Sequence, residues 1–218
     1  MQTVFNTLLQ PFFPSRCLLC DFISDNKKLI CQSCFDTLPS YHNSFSNEEN
    51  IIALFDYQHP ISTLIWKLKF RGDLSIAHFF SQCWIEKINS HYANNPFPEF
   101  IMPVPLHPAR LKERGFNQAL EIAKPIGKYF SIPIDTRTCI RIKNTKAQSL
   151  LAGDQRKNNI KNAFGLSYSI NAKHIAIIDD VYTTGSTVLE ISALLKKSGV
   201  EKIEVWCCAR TITHAVDL

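Results

Sequence analysis

The residues with the clearest chemistry lie in one run, I-A-I-I-D-D-V-Y-T-T-G-S-T, which extends from Ile175 to Thr187. An apolar strand carries two adjacent carboxylates, Asp179 and Asp180, to its carboxyl end, and a short turn then leads into a helix. Ligands of open α/β sheets bind at the carboxyl ends of strands, where helix amino termini offer unpaired N–H groups. The turn therefore predicts a phosphate cradle built from Thr183, Thr184, Gly185, Ser186 and Thr187.

The phosphate cannot be the ligand of the acidic pair. Carboxylates repel an anion, so Asp179 and Asp180 suit groups that donate hydrogen bonds or carry positive charge, such as sugar hydroxyls and a Mg²⁺ ion. A phosphate at one end and vicinal hydroxyls at the other describe a ribose 5-phosphate. The alternative is a hydroxyl residue that caps a helix after a surface acidic pair, without any ligand.

The same run resembles the signature with which type I phosphoribosyltransferases bind 5-phosphoribosyl 1-pyrophosphate (PRPP). This ligand also needs a site for its pyrophosphate. The stretch from Val104 to Gln118, V-P-L-H-P-A-R-L-K-E-R-G-F-N-Q, presents Arg110 and Arg114 one turn apart. We expect these arginines to clamp the pyrophosphate. A basic helix surface with no ligand is the alternative.

A long basic and polar loop follows, from Lys143 to Asn159. In phosphoribosyltransferases such a loop closes over the reacting centre, which makes Lys146, Gln148 and Arg156 candidates for ligand contact. An ordinary solvated connection is the alternative. Residues 101–165 carry 12 basic and 4 acidic side chains, whereas acidic side chains are in slight excess over the rest of the chain, so this stretch accounts for the net charge of +5. This excess indicates an anionic ligand, either a phosphate-rich small molecule or a nucleic acid, or else a solvated basic surface.

Four cysteines near the amino terminus form two C-x-x-C pairs, Cys17 with Cys20 and Cys31 with Cys34. Each pair can direct two thiolates at one ion, and two pairs complete a tetrahedral Zn²⁺ site with no position for water. We predict a structural zinc site in a module of residues 1–45, rather than two disulfides. The other four cysteines have no such spacing and are expected to be buried as small apolar residues.

The elements that position these groups alternate between strand and helix over residues 46–218. Strands are predicted at 51–57, 100–106, 132–134, 139–142, 174–178 and 203–208, and helices around 61–68, 74–91, 116–129 and 186–197, with a kink at Pro125. This order favours an α/β fold with a mostly parallel sheet. The composition, 45% hydrophobic and 20% charged, excludes a disordered or fibrous chain. Residues 1–15 have no basic leader and are too short to span a bilayer, so we expect a cytoplasmic protein without membrane insertion.

The chain as a whole resembles the ComF family of amidophosphoribosyltransferase-like proteins, which includes ComFC and GntX. The resemblance rests on the zinc knuckles, the L-K-F-R-G-D run from Leu68 to Asp73, the V-P-L-H…R-G-F-N-Q run, and the D-D-V-Y-T-T-G-S-T element. A further shared spacing is Q…L…R…N…A-F, formed by Gln148, Leu151, Arg156, Asn159, Ala163 and Phe164.

The resemblance implies a type I phosphoribosyltransferase fold with an amino-terminal zinc module. It also implies a role in natural transformation, in which the protein binds PRPP, with Mg²⁺, and single-stranded DNA during DNA uptake, beside other uptake proteins at the inner membrane. Lys67, Lys69 and Arg71 would extend the DNA-binding face. Tyr57, Trp66 and Phe70 are expected in the core, and exposure with stacking on DNA bases is the alternative. Two alternatives remain. One is an active phosphoribosyltransferase with an unidentified acceptor, and the other is a zinc-ribbon nucleic-acid module beside an inert α/β domain.

Overall fold

The computed structural model describes residues 16–23, 28–41, 50–144 and 161–211. The chain divides into two compact units, Met1–Pro39 and Ser40–Leu218. In the first unit, a bridge joins Arg16 to Ile23 in antiparallel orientation, and helix α1 spans Gln32–Asp36. No helix within the described residues is long and apolar enough to cross a bilayer.

The second unit alternates between strands and helices. Its elements are β1 (Ile51–Asp56), α2 (Ile61–Arg71), α3 (Leu74–His91), β2 (Phe100–Pro103), α4 (Pro108–Arg114), α5 (Gln118–Phe130), β3 (Cys139–Arg141), β4 (Phe164–Leu166), β5 (His174–Tyr182), α6 (Ser186–Lys197) and β6 (Lys202–Arg210). Four strands form one sheet in the order β1-β6-β5-β2, and every neighbouring pair is parallel. Strands β3 and β4 form a separate antiparallel pair. The predicted α/β fold with a mostly parallel sheet is confirmed.

Both faces of the main sheet are covered, which explains why its central strands are apolar. Helix α5 packs against α3, β2 and β5, and the Trp84 ring of α3 stacks on Trp206 of β6 with the ring centroids 5.5 Å apart. Helix α6 packs against β4, and residues of α6, β3 and β4 share a buried cluster with Ile175 and Ile177 of β5. Successive side chains of a strand point to opposite faces, so Asp179 and Asp180 are directed to different layers of the protein.

The helix predicted over residues 116–129 begins slightly later, and a short helix precedes it. Helix α4 ends at Gly115, whose positive φ of 83° stops the helix. Asn117 then caps α5 by accepting hydrogen bonds from the N–H groups of Ala119 and Leu120. Helix α5 continues through Pro125 to Phe130. The predicted strand at 132–134 is wrong in extent, because only a single bridge from Ile134 to Ile101 forms there.

Close packing at Gly127 brings α5 against the chain that follows it. A Cβ atom at this position would lie 2.8 Å from the carbonyl oxygen of Ile132 and 3.0 Å from Cδ1 of Ile134. We therefore expect Gly127→Ala to lower the free energy of unfolding by about 1–3 kcal/mol in urea denaturation, although alanine is the better helix former. Lys128→Ala, at an exposed neighbouring position, should change it by less than about 0.5 kcal/mol. Equal stability of the two variants would contradict this account of the packing.

Candidate functional site

The four predicted zinc ligands lie together in the first unit. The Sγ atoms of Cys17, Cys20, Cys31 and Cys34 are all within 4.8 Å of one another. Those of Cys20 and Cys31 are 3.8 Å apart, which is the edge of a tetrahedron with metal–sulfur bonds of about 2.3 Å. The backbone N–H of Cys31 also donates a hydrogen bond to Sγ of Cys17 at 3.4 Å. The cluster therefore fits a tetrahedral metal ion such as Zn²⁺.

Without a cation, the pKa values of two of the four thiols, Cys17 and Cys34, are shifted in opposite directions. Burial raises the pKa of Cys17, but N–H donors from Cys20, Cys31 and Leu19 outweigh burial and lower the pKa to about 6. Contacts with the sulfur atoms of Cys20 and Cys31 raise the pKa of Cys34 to about 12. Four thiolates cannot share this space unless a positive ion compensates their charge. Metal binding at neutral pH must therefore release protons from the cluster.

The other predicted groups lie at one edge of the parallel sheet, because parallel strands bring their carboxyl ends to the same edge. Strand β5 ends just beyond the acid pair, β2 leads into α4 with its two arginines, and β1 leads into α2. Helix α2 contributes Lys69, whose Nζ atom lies 2.5 Å from Oδ2 of Asp180. Sequence reasoning assigned Lys69 to a DNA-binding face, and the structure instead pairs it with a buried acid.

Asp180 is 3% exposed and is held from several sides. The Gln118 amide, at the first residue of α5, is near enough to stabilise its negative charge, and Nη1 of Arg114 donates to Oε1 of Gln118 at 2.6 Å. Burial raises the pKa of Asp180, but Lys69, Asp179 and Gln118 outweigh burial and hold this pKa below its usual value. Sequence reasoning did not select Gln118, although it is the last residue of the R-G-F-N-Q run.

Asp179 has the opposite electrostatic character. Burial and the adjacent Asp180 carboxylate raise the pKa of Asp179 well above its usual value. Its nearest strand partner is Cys207 of β6, and it acts electrostatically on Arg141 of β3. The two acids are therefore neighbours in sequence that serve different sides of the sheet.

The two predicted pyrophosphate ligands line a cavity of about 340 Å³. Its walls are formed by Lys69, Phe70, Arg71, Gly72, Arg110, Glu113, Arg114 and Phe116. Four cations thus face a single carboxylate. Burial and the neighbouring Arg110 lower the pKa of Arg114, with Asp180 opposing the shift. A small cavity with this excess of positive charge suits an anion with several oxygens.

The predicted phosphate cradle lies where β5 gives way to α6. Gly185 is the residue before the helix, with a φ of 70°, and a Cβ atom there would lie 2.3 Å from the hydroxyl oxygen of Tyr182. Only glycine fits this turn. The Oγ atoms of Thr184 and Ser186 are 2.8 Å apart, while Thr183 and Thr187 are both partly exposed. The residue before α6 is Gly185, which has no side chain with which to cap the helix.

Three predicted site residues, Lys146, Gln148 and Arg156, lie outside the described residues. Of the remaining cysteines, Cys139, Cys207 and Cys208 are buried, as expected, and Cys83 is only partly buried.

The expected Mg²⁺ ion was assigned to the acid pair, and the pair is a poor site for it. Burial and Asp180 raise the pKa of Asp179, which disfavours its charged form, and Asp180 already forms an ion pair with the Lys69 ammonium. Mg²⁺ requires unprotonated oxygen ligands in a near-octahedral arrangement. Among the described residues, the only cluster of three or more potential metal ligands is the four-cysteine cluster.

Aromatic residues that were expected in the core are exposed beside the cavity. Trp66 and Phe70 of α2 are 48% and 61% exposed, and Tyr57 is 38% exposed, so the prediction that they belong to the core is wrong. The reason is helical periodicity: Ile61, Leu64, Ile65 and Leu68 form the buried side of α2, and Trp66 and Phe70 lie on the other side. Arg71 lies over the Trp66 ring at 5.5 Å, and Arg114 over the Phe70 ring at 5.9 Å. We call these four residues the aromatic–arginine surface.

The cysteine cluster generates a prediction. The purified chain should contain about one Zn²⁺, and Cys34→Ser should lose most of it because one of four ligands is gone. Removal of the metal by a chelator should speed amide hydrogen exchange over residues 16–39. Elemental analysis and exchange mass spectrometry measure these effects. Cys83→Ser should retain its zinc, and a metal-free wild-type chain with unchanged exchange would count against a structural metal.

No family model matches the chain, but known proteins are similar to it. It is 32% identical over 200 residues to "DNA utilization protein YhgH" of Salmonella typhi, an alignment that covers 91% of this chain and 85% of that protein. It is 35% identical over 187 residues to "Competence protein F" of Haemophilus influenzae, covering 83% and 78%. For "Competence protein ComFC" of Streptococcus pneumoniae the identity is 26% over 158 residues, covering 72% and 67%.

Phosphoribosyltransferases are among the solved structures that are similar to the chain. Adenine phosphoribosyltransferase from Leishmania donovani has a TM-score of 0.39 at 14% identity, covering 80% of this chain and 92% of that one. Purine phosphoribosyltransferase from Pyrococcus horikoshii has a TM-score of 0.35 at 15% identity, covering 77% and 82%. About a third of the aligned residues are identical over most of the length of YhgH and competence protein F. The chain therefore belongs to the ComF family, which the motifs of its sequence indicated.

Proposed function

We propose that this chain binds PRPP at the carboxyl-end edge of its parallel sheet and single-stranded DNA on the neighbouring aromatic–arginine surface, in the service of natural transformation. Relatives named for DNA utilization and competence support a role in DNA handling. In this proposal residues 46–218 form the phosphoribosyltransferase-like domain and residues 1–45 the zinc module. The protein acts in the cytoplasm on incoming DNA, together with uptake proteins at the inner membrane.

PRPP binding is supported by three adjacent subsites whose different charges match the three parts of this ligand. The Gly185 turn offers N–H groups and hydroxyls to the 5-phosphate, and the acid pair directly before it accepts hydrogen bonds from ribose hydroxyls. The arginine-lined cavity, which Lys69 and Gln118 connect to Asp180, takes the pyrophosphate. When PRPP is bound with Mg²⁺, oxygens of the ligand's own pyrophosphate would hold the ion, and the acid pair would not.

DNA binding is supported by two exposed aromatic rings that each lie beside an arginine guanidinium group. Unstacked bases stack on aromatic side chains, and arginines beside the rings bind the backbone phosphates. Trp66 and Phe70 are one helical turn apart, with ring centroids separated by 5.8 Å, so they offer adjacent stacking positions. Arg71 and Arg114 supply the charge on the same surface.

Arg110 provides the sharpest test of the pyrophosphate subsite. Arg110→Ala should weaken PRPP binding in calorimetry by about tenfold or more, because it removes one cation from the anion site. Lys112→Ala removes a cation from the same helix that does not line the cavity, and it should bind PRPP as the wild type does. If wild-type protein gave no heat with PRPP and Mg²⁺, the inert-domain alternative would replace this proposal.

The same cavity supports a second candidate, transfer of ribose 5-phosphate to an acceptor, because it would stabilise departing pyrophosphate. Incubation of the protein with PRPP and a panel of nucleobases and amines distinguishes binding from transfer. Release of pyrophosphate that Arg110→Ala abolishes would establish a transferase.

The aromatic–arginine surface predicts a specific pattern of DNA affinities. Phe70→Ala should weaken binding of oligothymidylate by about 1–3 kcal/mol in fluorescence anisotropy, since one stacking position is lost. Affinity of the wild type should also fall as salt rises. Tyr129→Ala is a matched control, because Tyr129 is 61% exposed, as Phe70 is, and belongs to α5 away from this surface. Equal losses in both variants, or salt-independent affinity, would refute this surface.

A further inference from the structure

We propose that the Lys69 ammonium supplies the positive charge that joins the acid pair to an anion in the arginine-lined cavity, so that a pyrophosphate-bearing ligand binds without a divalent cation on the carboxylates. The inference rests on the proposed function, since it concerns the same PRPP site. The Lys69 ammonium would lie between the sugar hydroxyls and the pyrophosphate, in the position that a metal ion would otherwise occupy.

The first support is the position of Lys69. Its Nζ atom is 2.5 Å from Oδ2 of Asp180, and the same side chain lines the cavity with Arg110 and Arg114. An ammonium group has three N–H donors, and the ion pair with Asp180 does not use them all. One lysine can therefore contact the acid pair and an oxygen of a bound anion together.

The second support is the charge of the pair. Asp180 carries a negative charge in the interior, and the Lys69 ammonium beside it neutralises that charge. A Mg²⁺ ion placed directly on Asp180 would have to displace this ammonium, at a cost. A ligand anion in the cavity meets Arg71, Arg110 and Arg114 against Glu113, so cationic charge is already present there.

The third support is the rigidity of the lysine. Leu64, Ile65 and Leu68 anchor α2 in the core, and the helix ends at Gly72 in the left-handed conformation. The Lys69 side chain is 24% exposed and its Asp180 partner 4% exposed, so the ion pair is formed inside the protein. A charge held in place before the ligand arrives needs little reorganisation on binding.

The experiment measures PRPP affinity by calorimetry with and without Mg²⁺, for zinc-loaded protein in buffer freed of divalent metals beforehand. No chelator is added, because it would remove zinc from the cysteine cluster. We expect the dissociation constant of the wild type to change by less than about tenfold when Mg²⁺ is omitted. Lys69→Met should bind at least about 100-fold more weakly without Mg²⁺ and recover in part when Mg²⁺ is present. Lys112→Met should behave as the wild type.

The outcomes separate this inference from the proposed function. Wild-type protein that binds PRPP only with Mg²⁺ would overturn the role of Lys69 and leave the PRPP site intact, whereas no binding under either condition would overturn the proposed function itself. Equal Mg²⁺ dependence of Lys69→Met and wild type would also overturn the inference. Lys69→Arg retains the charge and should still bind without metal. If Lys69→Met does not fold, the wild type and Lys69→Arg decide the question.

Discussion

The buried carboxylate of Asp180 is the group around which the sheet edge is organised. A charge in the interior is tolerated only with close partners, and removal of one partner from such a pair typically costs about 3–5 kcal/mol. Lys69 from α2 and Gln118 from α5 are those partners, so the ends of two helices are tied to the central strand. Arg114 joins the network through Gln118. The contacts that bury Asp180 thereby also set the positions of the cations in the cavity.

The orientation of α2 follows from the same contact. With Lys69 turned inward to Asp180 and the leucine and isoleucine side chains in the core, Trp66 and Phe70 can only lie on the outer side of the helix. Their rings then meet Arg71 and Arg114. A small-molecule site and a candidate nucleic-acid surface therefore share one helix and one arginine. This arrangement provides a physical route by which one ligand could influence the other.

The amino-terminal unit obtains its order in a different way. Its helix α1 has five residues and none of them is buried, so this helix contributes little to apolar packing. The four cysteine sulfur atoms lie within 4.8 Å of one another, and the crowding that raises the pKa of Cys34 is the crowding that a cation relieves. Zinc knuckles of this kind are recognised from spacing alone, because the chain between paired ligands is too short to place them elsewhere.

Sequence by itself determined the features that depend on neighbours along the chain: the cysteine cluster, the alternation that makes a parallel sheet, and the glycine turn after two acids. It did not determine which residues from distant segments meet. The Lys69–Asp180 pair joins residues 111 positions apart, and the raised pKa of Asp179 depends on burial that only the packed helices create. Trp66 and Phe70 were misassigned to the core for the same reason, since composition predicts burial on average and helix packing decides which side is covered. Tertiary structure decided these points because parallel strands bring their carboxyl ends together in space, whatever their separation in sequence.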